Sequence, residues 1–242
     1  MSLKGKTAFI TGATGGIGIP LIRLLDDEGV QIQTYDQEIS GDLLCNLNEI
    51  ALGLKHNTPD ILINLAGINQ FSVCESQDYR HLIDLNLLAP IVLAQAVIPG
   101  MKAKGNGHIV NIGSMVAEIP MPFLSGYVAS KAGLKGFSES IRREVSNDGI
   151  LVTHINPRAV RTEMNRGAMA EFNSKTHASQ DSPEWVAKQI FNAIRSGTER
   201  KSLGRPERLF ALIHALLPKL MDKAMKNQRK VALQVLSPTN NP

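Results

Sequence analysis

Short apolar runs alternate with amphipathic stretches along the chain. Residues 6–11 hold Ala8, Phe9 and Ile10 and run into glycine, which predicts a buried strand. Ile17, Leu21, Leu24 and Leu25 then recur on one helical face, and Gly29 closes that helix. A second strand is predicted over 30–35, a short third over 43–45, and a helix over 46–54 with Asn46 as its N-cap. Further strands fall at 60–64, 108–112 and 150–155. Helices fall over 78–104, where Pro90 and Pro99 limit regularity, over 126–145, and after Ser182-Pro183. Residues 160–182 are polar and lack periodicity. This alternation predicts an α/β fold: a Rossmann-type doubly wound parallel sheet in three layers. The expected organisation is one domain over 1–242. It includes an irregular loop at 160–182 and a helical extension at 206–242.

Composition narrows the reading. The chain has 242 residues, 43% hydrophobic and 20% charged, which excludes a disordered or collagen-like protein. Its two cysteines, Cys45 and Cys74, are too few for a disulfide framework or a four-cysteine zinc site. They are expected as small buried apolar residues in a reducing compartment, and no metal centre is expected. No uninterrupted apolar run of about 18–20 residues is present. Residues 7–22 are uncharged but broken by glycines, unlike a signal peptide. A cytoplasmic location is expected. The net charge of +4 is uneven: residues 200–230 hold nine Lys/Arg and two Asp/Glu, and the rest of the chain is net acidic.

The first strand feeds Thr11-Gly12-Ala13-Thr14-Gly15-Gly16-Ile17-Gly18 and then a helix. N–H groups at a helix N-terminus and the helix dipole favour a pyrophosphate, and glycine keeps side chains out of its way. Gly12, Thr14, Gly16, Ile17 and Gly18 are thus candidate cofactor contacts. Asp36 closes the second strand, 18 residues after Gly18. A carboxylate there accepts both hydroxyls of an adenosine ribose and repels a 2′-phosphate. With no Arg or Lys beside it, NAD is favoured over NADP.

Tyr127 and Lys131 stand at i and i+4, on one helix face. A phenol with a pKa of about 10 is a poor proton catalyst at neutral pH. Lowering it by about 3 units needs about 4 kcal/mol, which one cation about 4 Å away supplies at an effective dielectric of about 20. Ser114 ends a strand 13 residues earlier and can hydrogen-bond a carbonyl oxygen. Asn64-Leu65-Ala66-Gly67 ends the preceding strand, and such strand ends are where open parallel sheets bind ligands.

Together these motifs resemble the short-chain dehydrogenase/reductase family, of the type with about 250 residues, over roughly residues 4–200. The glycine turn matches the family's cofactor turn, and Asn64, Ala66 and Gly67 match its Asn-Asn-Ala-Gly motif. Ser114, Tyr127 and Lys131 match its catalytic positions, and Asn86 matches the helix asparagine of its proton relay. Pro157, Val160 and Thr162 match the turn that holds the nicotinamide carboxamide. The resemblance implies hydride transfer between NAD(P) and an alcohol or carbonyl. Tyr127 would move the proton, Ser114 orient the oxygen and Lys131 bind the nicotinamide ribose. Asn86 would hold a water linking Lys131 to solvent. A homo-oligomer, dimer or tetramer, is implied too.

Departures are also legible. Asn46 stands where the family has an adenine-contacting aspartate. Leu65 replaces an asparagine, and Arg158 replaces a glycine, either facing solvent or reaching an acidic group on the substrate. His154 reads as a satisfied buried histidine. Beyond residue 205, Leu209, Leu212, Ile213, Leu216 and Leu220 recur at helical spacing up to and past Pro218, followed by Lys219, Lys223, Lys226, Arg229 and Lys230. This extension is expected as a lid over a hydrophobic substrate or a subunit contact. The alternatives are a peripheral membrane contact or a dock for an acidic acyl carrier through 206–230, the latter making the enzyme a 3-oxoacyl reductase. A non-catalytic cofactor-binding scaffold is the remaining reading. Nucleic acid is not expected, because one tryptophan and three tyrosines offer little base stacking.

Overall fold

The computed structural model describes residues 2–36 and 41–237. Six strands, β1 (Thr7–Thr11), β2 (Gln31–Tyr35), β3 (Ile61–Asn64), β4 (Gly107–Ile112), β5 (Ile150–Asn156) and β6 (Arg200–Ser202), form one parallel sheet. Its order is β2-β1-β3-β4-β5-β6. Helices α1 (Gly18–Asp27) and α6 (Pro183–Ser196) cover one face. On the other lie α2 (Leu47–His56), α3 (Tyr79–Lys104) and α4 (Ser125–Glu144). The chain adds α5 (Ala168–Lys175) before α6, and then α7 (Arg205–Leu216) and α8 (Pro218–Leu236) after β6.

Successive strand residues point to opposite faces. Ile10, Ile63, Val110 and Ile155 therefore pack with Leu21, Leu25, Val186 and Ile190, whereas Phe9, Leu62, Ile109 and Val152 pack with Leu93, Val97 and Ile141. With both faces covered, the central strands read as nearly continuous apolar runs.

The same alternation sends polar strand-end residues toward α4. Asn64 Nδ2 donates to Asn111 Oδ1 at 2.8 Å, and Asn111 Nδ2 donates to Ser138 Oγ at 2.9 Å. His154 Nδ1 lies 3.1 Å from Ser138 Oγ, and His154 Nε2 lies 2.9 Å from Asn156 Oδ1. Asn156 Nδ2 donates to Glu118 Oε1, and Glu118 reaches the surface in ion pairs with Lys135 and Arg200. His154 is thus a hydrogen-bonded interior group, as its strand position implied.

The structure differs from the sequence reading in several places. Residues 43–45 form a turn, and the sixth strand is β6, whose Arg-Lys-Ser carries no apolar signal. Cys45 and Cys74 are exposed rather than buried: Cys45 sits in a surface turn and Cys74 opens a short 3-10 helix at the surface. Residues 160–182 contain the helix α5, which packs Met169 and Phe172 inward. The last residues of the expected extension, 238–242, lie outside the described residues. Pro90 and Pro99 do not break α3. Pro90 follows a π-type turn at Asp84–Leu88, where the hydrogen-bond register has already shifted. α3 has the length and mean hydropathy, 1.8, of a membrane span. It lies on the sheet through Ala89, Leu93, Val97 and Met101.

Burial holds two histidines neutral. His108, whose Nε2 lies 2.7 Å from Thr153 Oγ1, and His154 are both lowered to about 4. An unfolded histidine titrates at about 6.5, so between about pH 6.5 and 4 the unfolded chain binds protons that the folded chain refuses. Stability therefore falls as pH falls through that window. The loss at pH 5 is about 2 kcal/mol for each histidine. Urea unfolding at pH 7 and pH 5 checks this: His108→Gln/His154→Gln is expected to flatten the difference, and an unchanged difference would refute it.

Candidate active site

The carboxyl ends of β1, β3, β4 and β5 border one cavity of about 730 Å³. Its size is within the range of ligand clefts. Gly12, Thr14, Gly16, Ile17 and Gly18 line one end. Gly12 has φ +74°, and a Cβ there would stand 2.7 Å from the Ala66 backbone, so the turn lies directly on the loop after β3. α1 starts at Gly18 and aims its first N–H groups into this turn. Thr14 fastens the turn to the end of β2. Its N–H donates to Asp36 Oδ2 at 2.9 Å and its hydroxyl to Asp36 Oδ1 at 2.5 Å. Asp36 is buried and presents a fixed negative charge beside the turn. The other wall of this end is Pro157, Val160 and Thr162. These residues fit a dinucleotide: a side-chain-free turn, a helix N-terminus and a carboxylate at the second strand.

Ser114, Tyr127 and Lys131 line the middle of the cavity. Ser114 follows β4, its hydroxyl accepts from Val116 N at 3.3 Å, and it stands beside the phenol of Tyr127. Lys131 Nζ donates to Ile112 O at 2.9 Å and lies 5.9 Å from the Tyr127 ring centre. Burial pushes the Tyr127 phenol above its ordinary value, and the neighbouring Ser114 hydroxyl opposes that rise. Burial also pushes Lys131 down to about 8. The depression of Tyr127 expected from Lys131 is therefore not seen in the protein alone, where burial is the largest influence on the phenol.

Asn86 lies in the π-type turn of α3 and is fully buried. It accepts from Ile68 N at 2.9 Å and donates to Ile68 O at 2.8 Å and Ser130 Oγ at 3.1 Å. It thus holds the loop after Gly67. A Cβ on Gly67 would stand 2.9 Å from Asn86 Oδ1 and 3.4 Å from Lys131 Nζ, so only glycine leaves both side chains where they are. Asn64 sits below the cavity in the buried amide chain, while Ala66 and Gly67 line it. Asn46 is not brought to the cavity wall. Its side chain makes no cap bond and donates to Asp42 O instead.

Two features escaped the sequence reading. Six of the eight methionines, Met115, Met121, Met164, Met169, Met221 and Met225, line the cavity beyond Tyr127. Their grouping in close pairs was the available signal. Arg158 lines the cavity but is held there by two carboxylates of the chain itself. It forms a two-pronged pair with Asp181 at 2.7 and 3.0 Å and a second pair with Glu207 at 3.3 Å. It thereby ties the nicotinamide-side turn to α7.

Comparison with known proteins finds relatives in sequence and in fold. The short chain dehydrogenase family model matches residues 51–171. A 3-oxoacyl-(acyl-carrier-protein) reductase of Vibrio cholerae is 32% identical over 202 residues, spanning 74% of this chain and 83% of that protein. A solved short chain dehydrogenase from Burkholderia cenocepacia in complex with NADP is 21% identical. It aligns with a TM-score of 0.77 over 93% of this chain and 99% of its own. A solved 4-hydroxyisoleucine dehydrogenase complexed with NADH aligns with a TM-score of 0.72 at 25% identity, over 82% and 96% of the two chains.

Two outcomes test the electrostatics of the site. Lys131 resists protonation below its unfolded value of about 10.4, so keeping it charged at pH 7 costs about 3 kcal/mol. Lys131→Met is expected to unfold at a temperature no lower than wild type at pH 7 while losing turnover, and a large loss of stability would refute this. Arg158→Ala strands the buried Asp181 carboxylate and is expected to cost about 3 kcal/mol in urea unfolding. It should also raise substrate KM several-fold with little change in cofactor affinity.

Proposed function

Because the chain belongs to the short-chain dehydrogenase/reductase family, we propose that Ser114, Tyr127 and Lys131 carry proton transfer in an NAD-preferring enzyme for hydrophobic alcohols or carbonyls. Membership makes the chain an NAD(P)-dependent oxidoreductase acting on CH–OH and C=O groups. The observation that carries the reading is that Ser114, Tyr127 and the buried Lys131 line one cavity with the glycine turn.

A bound nicotinamide supplies or accepts the hydride. In the reducing direction Ser114 donates a hydrogen bond to the carbonyl oxygen and Tyr127 gives that oxygen its proton. Lys131 in its charged form stabilises the resulting phenolate, and Asn86 keeps the loop beside Lys131 in place. In the oxidising direction Tyr127 takes the proton, and activity rises with pH. Asp36 supports the NAD preference, since a 2′-phosphate would meet its fixed charge and residues 37–40 contain no Lys or Arg. The methionine wall supports a hydrophobic substrate, since thioethers adapt to irregular apolar shapes. A second reading, reduction of 3-oxoacyl groups on a carrier protein, is favoured by the Vibrio cholerae relative and shares this chemistry.

A homo-oligomer belongs to the same proposal. α3 has a mean hydropathy of 1.8 over a stretch of which only 39% is buried, which leaves apolar surface for a partner copy. Two exposed thiols, Cys45 and Cys74, fit a reducing location such as the cytoplasm.

Tyr127→Phe is expected to lower kcat by about a thousand-fold or more with NADH affinity nearly unchanged. Full activity in that variant would sink the assignment. Parallel titrations should show NADH bound at least about ten-fold more tightly than NADPH, and Asp36→Ala should shrink that ratio. Tighter NADPH binding would overturn the preference.

A further inference from the structure

α7 is unusual for its composition. Leu209, Phe210, Leu212 and Leu216 on it, with Leu217 and Leu220 just beyond, are between 48% and 70% exposed. None of its described residues is buried. From Leu209 onward His214 is the helix's one polar residue; so apolar a stretch normally lies inside a protein, and a patch this rich in exposed leucine marks a contact surface.

α8 supplies a second, independent feature. Met221, Met225, Gln228, Ala232 and Val235 recur at spacings of three and four and form one face, which closes the cavity and packs on α5. Lys219, Lys223, Lys226 and Lys230 recur in the same way on the opposite face, and all four are exposed. An outward lysine stripe therefore continues directly from an exposed apolar helix.

We propose that α7 and the lysine stripe of α8 dock the protein on an anionic bilayer surface. At 12 residues α7 is about 18 Å long, too short to span a bilayer and suited to lie in its interface. Acidic headgroups complement the lysine stripe while the leucines enter the acyl boundary. A second copy of the chain fits less well, since a two-fold contact sets each patch against itself and brings lysine stripes of like charge together. An acidic carrier would match the lysines and leave the leucines unexplained.

The docking helices are also cavity walls: Phe210 of α7 and Met221, Ala224 and Met225 of α8 line the site. A bilayer-dissolved alcohol or ketone would then reach Tyr127 without crossing water. That step rests on the oxidoreductase reading, whereas the docking does not.

Co-sedimentation of the full chain with vesicles tests the docking. One set is phosphatidylcholine, the other equal parts phosphatidylcholine and phosphatidylserine. The expected result is pelleting with the second set and much weaker pelleting with the first. Leu212→Glu/Leu216→Glu should abolish it. Lys219→Gln/Lys223→Gln/Lys226→Gln/Lys230→Gln should lower the partition coefficient by about ten-fold or more. Both variants should bind NADH as wild type does, which shows that the fold survives and tests the cofactor reading separately. Wild type remaining in the supernatant, or variants that pellet equally, would overturn the proposal. So would sedimentation velocity showing a wild-type dimer that dissociates in Leu212→Glu/Leu216→Glu without any vesicle binding. Salt-sensitive capture of an acidic acyl carrier protein with no vesicle binding would overturn it in favour of the carrier reading.

Discussion

A primary amine buried to 5% exposure is the constraint around which the centre of the molecule is arranged. Lys131 cannot be fully hydrated there, so it needs a fixed acceptor, and the carbonyl of Ile112 at the end of β4 provides one. That places α4 against the sheet at one height. The space around the amine must then stay small. Gly67 leaves room on one side. The π-type turn of α3 brings Asn86 in to hold the neighbouring loop. Gly113, before Ser114, leaves room for Asn156 and His154, which a side chain at that position would meet. The polar chain beneath, from Asn64 to Glu118, fixes the sheet ends that carry these groups.

The parts of this arrangement legible in the sequence are those set by local pattern. Strands β1, β3, β4 and β5 were visible because a sheet covered on both faces requires short apolar runs. The glycine turn and the Tyr127–Lys131 pair were visible because their spacing is itself the chemistry. What stayed hidden depends on distant partners. Arg158 meets Asp181 and Glu207, 23 and 49 residues away. The helix α5 is held by contacts with α8 that no local periodicity announces. β6 is three residues long and earns its pairing from β5 rather than from its own Arg-Lys-Ser. The exposure of Cys45 and Cys74 follows from their places in a surface turn and a short surface 3-10 helix, where the usual burial tendency of cysteine does not apply. The balance of burial against charge at Tyr127 is likewise a property of the packed site, and the i, i+4 spacing alone says nothing of it.

The cavity divides into two kinds of wall. At the glycine turn, backbone lies on backbone and Asp36 is tied to Thr14, so shape and charge are fixed. Beyond Tyr127 the wall comes from α5, α7 and α8 and is made of flexible thioethers, with Arg158 as the ionic tie between the two regions. A rigid end and an adaptable end are what an enzyme can use when one bound partner is constant in shape and the other varies.

That wall also makes the protein responsive to oxidants in a specific way. Conversion of a thioether to its sulfoxide turns a flexible apolar side chain into a polar, chiral one, and reductases can reverse the change. Six such side chains surround the substrate end, while the Ser114, Tyr127 and Lys131 group contains no readily oxidised sulfur. Oxidation of that wall would therefore change which molecules are accepted before it altered the group that moves the proton.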